Sequence, residues 1–236
     1  MFDEKPVLAY IATLGADLFG VADLTLAKDV LLEEYGHAWE DYPRAVSLGV
    51  YFPRQVVNEL LVGPTHTYLR YYDVLNARLD DMSMRLANFL EEQGYPSFPI
   101  PASQRVGEDK LASIFSHRLA ARLAGLGWVG RSGCLINLQV GPRFRLVTVL
   151  TKAPLLPGKP LEIGCPEHCT SCRDHCPAHA IKGVRFTPGQ PLEDRLDAPA
   201  CAEWLAQTRH SFGKQVCGIC LAACPIGSKN FNRPEE

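Results

Sequence analysis

The chain has 236 residues, 47% apolar and 21% charged, with a net charge of −2. That length fits one large domain or one medium domain with a small one, and the composition is that expected of a soluble globular protein. The near-neutral charge gives no electrostatic case for a nucleic-acid partner, and no apolar run approaches the ~18 residues of a membrane helix. The opening MFDEKPVLAY has acidic residues and no basic stretch before an apolar core, so no signal peptide is read and a cytoplasmic location is expected.

Pro6 to Leu14 is predicted as a helix and Leu18 to Ala22 as a short buried strand. Ala45 to Phe52 is a second strand, stopped by Pro53. A long helix follows over His66 to Gln93, with Tyr68, Tyr72, Leu75, Leu79, Met82, Leu86 and Leu90 on one stripe and Gly94 at its C-cap. Ser97 to Pro101 reads as an edge strand, the place in a sheet that tolerates proline. A second helix runs from Ile114 to Leu126 and stops in the glycines of Gly125-Leu-Gly-Trp-Val-Gly130. Cys134 to Leu138 and Phe144 to Thr151 flank the turn signal Gly141-Pro142 and are predicted to pair as a hairpin. This order gives an α/β (α+β) fold with a mixed sheet over residues 1–155. Pro154, Pro157, Gly158 and Pro160 mark a linker to a small domain over 156–236.

The cysteines carry the strongest chemistry. Eight of the nine lie between Cys165 and Cys224, and clustered cysteines without an export signal point to metal rather than disulfides. The first set is Cys165-x3-Cys169-x2-Cys172-x3-Cys176-Pro177; the second is Cys217-x2-Cys220-x3-Cys224-Pro225, with Cys201 between them. Two-cluster ferredoxins use C-x2-C-x2-C-x3-C-P, whose fourth cysteine ligates the other cluster. The reason is reach: closely spaced thiolates on a turn hold one cubane, and the next cysteine is carried away from it. The expected pairing is therefore Cys165, Cys169, Cys172 and Cys224 on one [4Fe–4S] cluster. Cys176, Cys201, Cys217 and Cys220 take the other, and Cys134 stands outside both sets. Structural zinc also takes four cysteines, but it pairs two C-x2-C knuckles and needs no interleaved C-x3-C-P. The x3 spacing after Cys165 departs from the motif. His168 and His175 lie inside the first set and read as exposed loop residues, since eight thiolates suffice.

The glycine loop offers a second feature. Gly125, Gly127 and Gly130 let backbone approach a flat ligand, Trp128 adds an apolar face, and Arg131 and Arg143 suit phosphate or amide oxygens. A helix C-cap, a core tryptophan and solvated arginines are the plainer account. Cys134, beside this loop, is either a buried inert thiol or a neighbour of a cofactor face.

Ala120-Ala-Arg-Leu-Ala-Gly-Leu-Gly-Trp-Val-Gly-Arg131, with Gly141-Pro-Arg143, Val149-Leu-Thr151 and the two cysteine sets, resembles the epoxyqueuosine reductase family and its relatives the reductive dehalogenases. The resemblance covers about residues 65 to 227. It implies a nitroreductase-like domain binding cobalamin, with FMN as the alternative, joined to a bacterial-ferredoxin-like domain with two clusters. An external ferredoxin or flavodoxin would supply electrons. The departures are specific. The family has a catalytic aspartate in a V-D-x-x-P-V-L-E segment; here that segment is Lys110 to His117, Leu111 falls at the aspartate, and Asp109 is displaced by two positions. The family's helical-repeat region does not follow the last cysteine, and no basic stripe replaces it. These departures predict a short form acting on a small molecule or a corrinoid protein rather than on tRNA. His117 becomes the candidate proton donor. Tyr68 and Tyr72 are polar candidates for a pocket, although their helical stripe reads as core. The alternative is a non-enzymatic electron carrier, or an activator that reduces a partner's corrinoid.

Overall fold

The computed structural model describes residues 2–104 and 113–228. Its elements in chain order are α1 (Lys5–Thr13), β1 (Leu18–Asp23), α2 (Lys28–Tyr35), β2 (Arg44–Tyr51), α3 (Arg54–Asn58), α4 (His66–Glu92) and β3 (Ser97–Ile100). There follow α5 (His117–Leu123), β4 (Trp128–Val129), β5 (Leu135–Ile136), β6 (Phe144–Thr151), α6 (Ser171–Asp174), α7 (Ala198–Phe212) and α8 (Ile219–Ala222). The chain forms two compact units. The first takes Met1–Val50, Leu75–Leu126 and Arg145–Leu161; the second takes Tyr51–Val74, Gly127–Phe144 and Glu162–Glu236.

The first unit is built on a four-stranded sheet in the order β1-β2-β6-β3. The β1–β2 and β3–β6 ladders are antiparallel. Ala45, Val46, Leu48 and Val50 of β2, and Val147, Val149 and Leu150 of β6, are all buried, which is why these central strands read as near-continuous apolar runs. β3 is an edge strand, as its Pro99 requires. On α4 the stripe Leu75, Leu79, Met82, Leu86 and Leu90 is buried, and each fully buried leucine contributes about 2 kcal/mol. Ser116 caps α5, accepting from the Leu119 amide at 3.2 Å, so the helix starts at His117 rather than at Ile114.

The expected hairpin between the Cys134 strand and the Phe144 strand does not form. β5 pairs instead with β4, Trp128 opposite Ile136 and Val129 opposite Leu135. β6 lies between β2 and β3 in the larger sheet, where both its faces are covered. The Gly141-Pro142 turn signal is spent locally. Asn137 and Gly141 exchange main-chain hydrogen bonds, and the Asn137 side chain accepts from the Gln139 and Val140 amides. The Pro154 to Pro160 stretch, expected as a linker, lies along the first unit, where the Gly158 amide donates to the Val21 carbonyl at 2.8 Å. Segments 51–74 and 127–144, expected in the first domain, belong to the second unit.

The second unit includes a helix that the sequence reading passed over. α7 is capped by Asp197, whose carboxylate accepts from the Ala200 amide, and it ends at Gly213 in the left-handed region. Tyr68 is buried and stacks on Phe52 at 5.0 Å, which is a packing role. Tyr72 lies under the Lys214 ammonium at 5.1 Å. The short helices α6 and α8 pack against each other.

Candidate functional site

The two cysteine sets lie in the second unit and share one local plan. Cys172 is the second residue of α6 and Cys220 the second residue of α8; Cys176 and Cys224 each follow four residues later, each before a proline. A single short turn of helix in each set thus carries one thiol inward and delivers the next beyond it. Cys201 is on α7. Among the described residues no disulfide joins the cysteines.

Burial and neighbouring sulfurs shape these thiols. Burial pushes Cys172 up to about 12, helped by Cys165, Cys169, Cys224 and Cys134. Cys224 is pushed up to about 11 by burial, with Cys165 and Cys134 adding to the shift and the Ile226 amide and Arg143 opposing it. Cys217 is raised by burial and by Cys176, against the Ile219 amide and the Trp204 indole. Cys220 is raised by its hydrogen bond with Cys134, by burial, and by Cys217 and Cys201. The neighbourhoods are therefore Cys165, Cys169, Cys172 and Cys224 on one side and Cys176, Cys201, Cys217 and Cys220 on the other. Cys134 appears in both. Burial thus disfavours a bare thiolate at these sites. Among the described residues no three or more of the His, Cys, Asp and Glu side chains converge on a point suited to one metal ion. A cubane takes each thiolate at a separate iron and spreads its ligands further apart. His168 and His175 are exposed, and His175 Nδ1 donates to the Ser171 carbonyl at 2.9 Å.

The glycine loop is used differently from its expected role. Gly125 has φ +78° and follows α5 as its C-terminal stop, and a Cβ there would lie 2.5 Å from the Lys159 carbonyl oxygen. At Gly127 a Cβ would lie 2.2 Å from the Ile136 carbonyl oxygen. At Gly130 it would meet the Ile136 side chain at 2.7 Å and the Cys165 sulfur at 3.4 Å. The close approaches made possible by these glycines are to the chain itself, in one case to the Cys165 sulfur. Trp128 is buried with Ile136 and Cys224, and Cys134 and Ile226 pack around them.

The arginines bind main chain rather than an open pocket. Arg143, only 3% exposed, donates to the carbonyls of Ile226 at 2.6 Å, Cys224 at 2.8 Å and Ala222 at 3.1 Å. Arg131 donates to the Glu167 carbonyl at 2.7 Å and to that of Gly183. Arg185 donates to the Cys165 carbonyl at 2.8 Å. Each guanidinium fixes the path of a cysteine loop. Arg185 left no signal in the sequence reading, because an arginine bonding to carbonyls has no motif.

His117 lies in the first unit. Nε2 donates to the Pro101 carbonyl at 3.0 Å, which leaves Nδ1 to accept from the Thr148 hydroxyl at 2.9 Å. Burial, with Arg145 and Arg118 nearby, lowers its pKa from 6.5 to about 4. A neutral imidazole with both nitrogens bonded has no proton to offer as a cation at pH 7, so the proton-donor role is corrected to a packing role. Asp109, Lys110 and Leu111 lie outside the described residues. The lowered pKa gives a testable slope. The unfolded state binds the His117 proton first, so its contribution is complete above pH 6.5 and is lost as pH falls toward about 4. At most about 3 kcal/mol is at stake. Denaturant melts of the iron-free protein at pH 7 and pH 4.5 are expected to differ by less in His117→Gln than in the wild type.

A cavity of about 140 Å³ in the first unit is lined by Leu24, Lys28, Leu31, Trp39, Glu40 and Tyr42 among others. Pockets for drug-sized ligands run to about 300–1,000 Å³, so this one is too small for a corrin, and none of the candidate cofactor residues lines it.

No protein-family model matches the chain. A tetrachloroethene reductive dehalogenase from Sulfurospirillum multivorans is 29% identical over 92% of this chain and 48% of its own length. An epoxyqueuosine reductase from Staphylococcus aureus is 31% identical over 66% of this chain and 38% of its own length. The chain's homologues are epoxyqueuosine reductases and reductive dehalogenases. The fold agrees with both kinds of reductase. A solved catabolic reductive dehalogenase superposes with a TM-score of 0.71 at 19% identity, covering 94% of this chain and 31% of that one. Epoxyqueuosine reductase from Streptococcus thermophilus gives a TM-score of 0.62 at 16% identity, covering 100% of this chain and 69% of that one. The chain spans about half or less of the length of these two curated reductases.

Proposed function

We propose that the second unit is a ferredoxin-like module holding two [4Fe–4S] clusters, and that the chain is a reductase that uses their electrons. Cys165, Cys169, Cys172 and Cys224 hold one cluster, and Cys176, Cys201, Cys217 and Cys220 hold the other. The observation that carries this reading is the shared plan of the two cysteine loops: α6 and α8 pack together, and each leads from one thiol to the next just before a proline. The surroundings fit such a group. Among the described residues the buried nitrogens Trp128 Nε1, Trp204 Nε1, Arg131 Nε and Arg143 Nε have no hydrogen-bond partner, and all four belong to residues of the second unit. When bound, the clusters supply one-electron reduction. The chain's own part is to fix the loops through Arg131, Arg143 and Arg185, to set positive charge beside thiolate-rich groups, and to keep water out with Trp128, Ile136 and Ile226.

The reductase reading is supported by the names of the homologues, and one solved reductive dehalogenase is described as performing B12-dependent dehalogenation. Cobalamin is therefore the proposed terminal cofactor. The residues expected to hold it do not fit: Gly125, Gly127 and Gly130 are filled by the chain, and Arg131 and Arg143 by main-chain carbonyls. No residue is assigned to the corrinoid. The proposed donor is a ferredoxin or flavodoxin, and the proposed substrate a small molecule or a corrinoid protein. The net charge of −2 supports that choice over tRNA, although an epoxyqueuosine reductase has been solved with a tRNA stem loop.

Anaerobic purification is expected to give about eight irons and eight sulfides per chain, with the broad absorption of cubanes. Adding cobalamin is expected to produce a tightly held, reducible corrinoid spectrum. Binding of FMN instead would replace the cofactor, and binding of neither would leave the carrier or activator function. A colourless protein with zinc would overturn the cluster reading.

A further inference from the structure

Among the described residues the buried indole N–H groups of Trp39, Trp128 and Trp204 have no hydrogen-bond partner, and the last two belong to the second unit. A buried donor left unpaired is costly, and in the second unit thiolate-rich groups can supply the acceptor. The two indoles attend different thiols. Trp128 is 5% exposed and packs with Cys224. Trp204 is three residues beyond Cys201 on α7, hence on the same helix face. Cys224 belongs to the first quartet; Cys201 belongs to the second.

Resting on the two-cluster reading, we propose that Trp128 and Trp204 each donate an N–H···S hydrogen bond to a different cluster and raise its reduction potential. Sulfur in a cluster carries more negative charge than a thiol, and it carries most after reduction. A fixed donor thus stabilises the reduced form more than the oxidised form, which moves the potential upward. Tryptophan suits this task because its indole nitrogen only donates, while its ring excludes the water that would otherwise compete. Both residues act on potential through the cluster sulfurs, and neither touches a substrate.

The test compares the anaerobically reconstituted wild type with Trp128→Phe and Trp204→Phe in redox titrations followed by EPR. Phenylalanine keeps the apolar body and removes the donor. The iron and sulfide counts are expected to stay at the wild-type level. Each variant is expected to lower one of the two couples and leave the other in place, and the double variant to lower both. Full iron with both couples unmoved overturns the proposal. Where a variant does not retain its clusters, wild-type protein carrying ¹⁵N-labelled indole answers the same question. Pulsed EPR of the reduced clusters is expected to show ¹⁵N coupling from both tryptophans, and its absence overturns the assignment. A wild type that holds no iron removes the two-cluster reading itself, a result separate from unmoved potentials.

Discussion

Replacing Cys176 with alanine is expected to remove the cluster associated with the second cysteine loop, not the one held by its own. Iron should fall from about eight to about four per chain, and the surviving EPR signal should match that of Cys217→Ala and Cys201→Ala. Cys165→Ala and Cys224→Ala should leave the opposite signal. The physical reason is the turn of α6 between Cys172 and Cys176. The Cys172 thiol faces Cys165, Cys169 and Cys224, whereas Cys176 is a neighbour that raises Cys217. Loss of a thiolate ligand leaves its iron open to solvent, so partial occupancy is not expected. Cys134→Ala, by contrast, should keep the full iron count, since the proposed ligand sets leave its thiol out. If Cys176→Ala instead matched Cys169→Ala, the interleaving would be wrong even with the total iron intact.

How much of this was legible in the sequence depends on how local each determinant is. β1, β2 and α4 follow from runs and stripes of apolar residues within one segment, and β3 from the tolerance of edges for Pro99. The hairpin was misread because a turn signal says that the chain reverses, not which strands then pair. β4, with only Trp128 and Val129, is too short to show a period, so its pairing with β5 was hidden. α7 carries good end signals in Asp197, Pro199 and Gly213, but a cysteine and polar residues dilute its apolar face.

The same rule governs the site. The proposed division of the cysteines is read from their spacing, because ligand reach is a property of a few residues. The roles of the glycines and arginines are not. Gly127 had to be glycine, which the motif suggests, yet what approaches it is the Ile136 carbonyl rather than a cofactor. Arg143 finds its acceptors 79 to 83 residues further along the chain, so no local pattern announces them. His117 was singled out by residue type, whereas its function was decided by Pro101 and Thr148, partners that only the folded chain brings to it.

Arg143→Met is therefore expected to be the most destabilising change outside the cysteines. The guanidinium satisfies three carbonyls around Cys224, and methionine fills the apolar part of its volume while satisfying none. Buried acceptors left without donors cost about 1–3 kcal/mol each, and hydrogen bonds from a charged donor exceed neutral ones. A total loss of at least about 3 kcal/mol follows, a large fraction of the 5–15 kcal/mol that holds a typical domain together. Arg143→Lys should recover little, because one ammonium on a flexible stem cannot span three carbonyls that a planar fork reaches. The damage should also have a direction. The carbonyls lie at Ala222, Cys224 and Ile226, so the cluster that uses Cys224 should be lost before the other. Thermal melts give the overall loss, and iron counts with EPR on the folded fraction give the order. Equal loss of both signals, or a melting temperature within a degree or two of wild type, would show that Arg143 does not hold this loop.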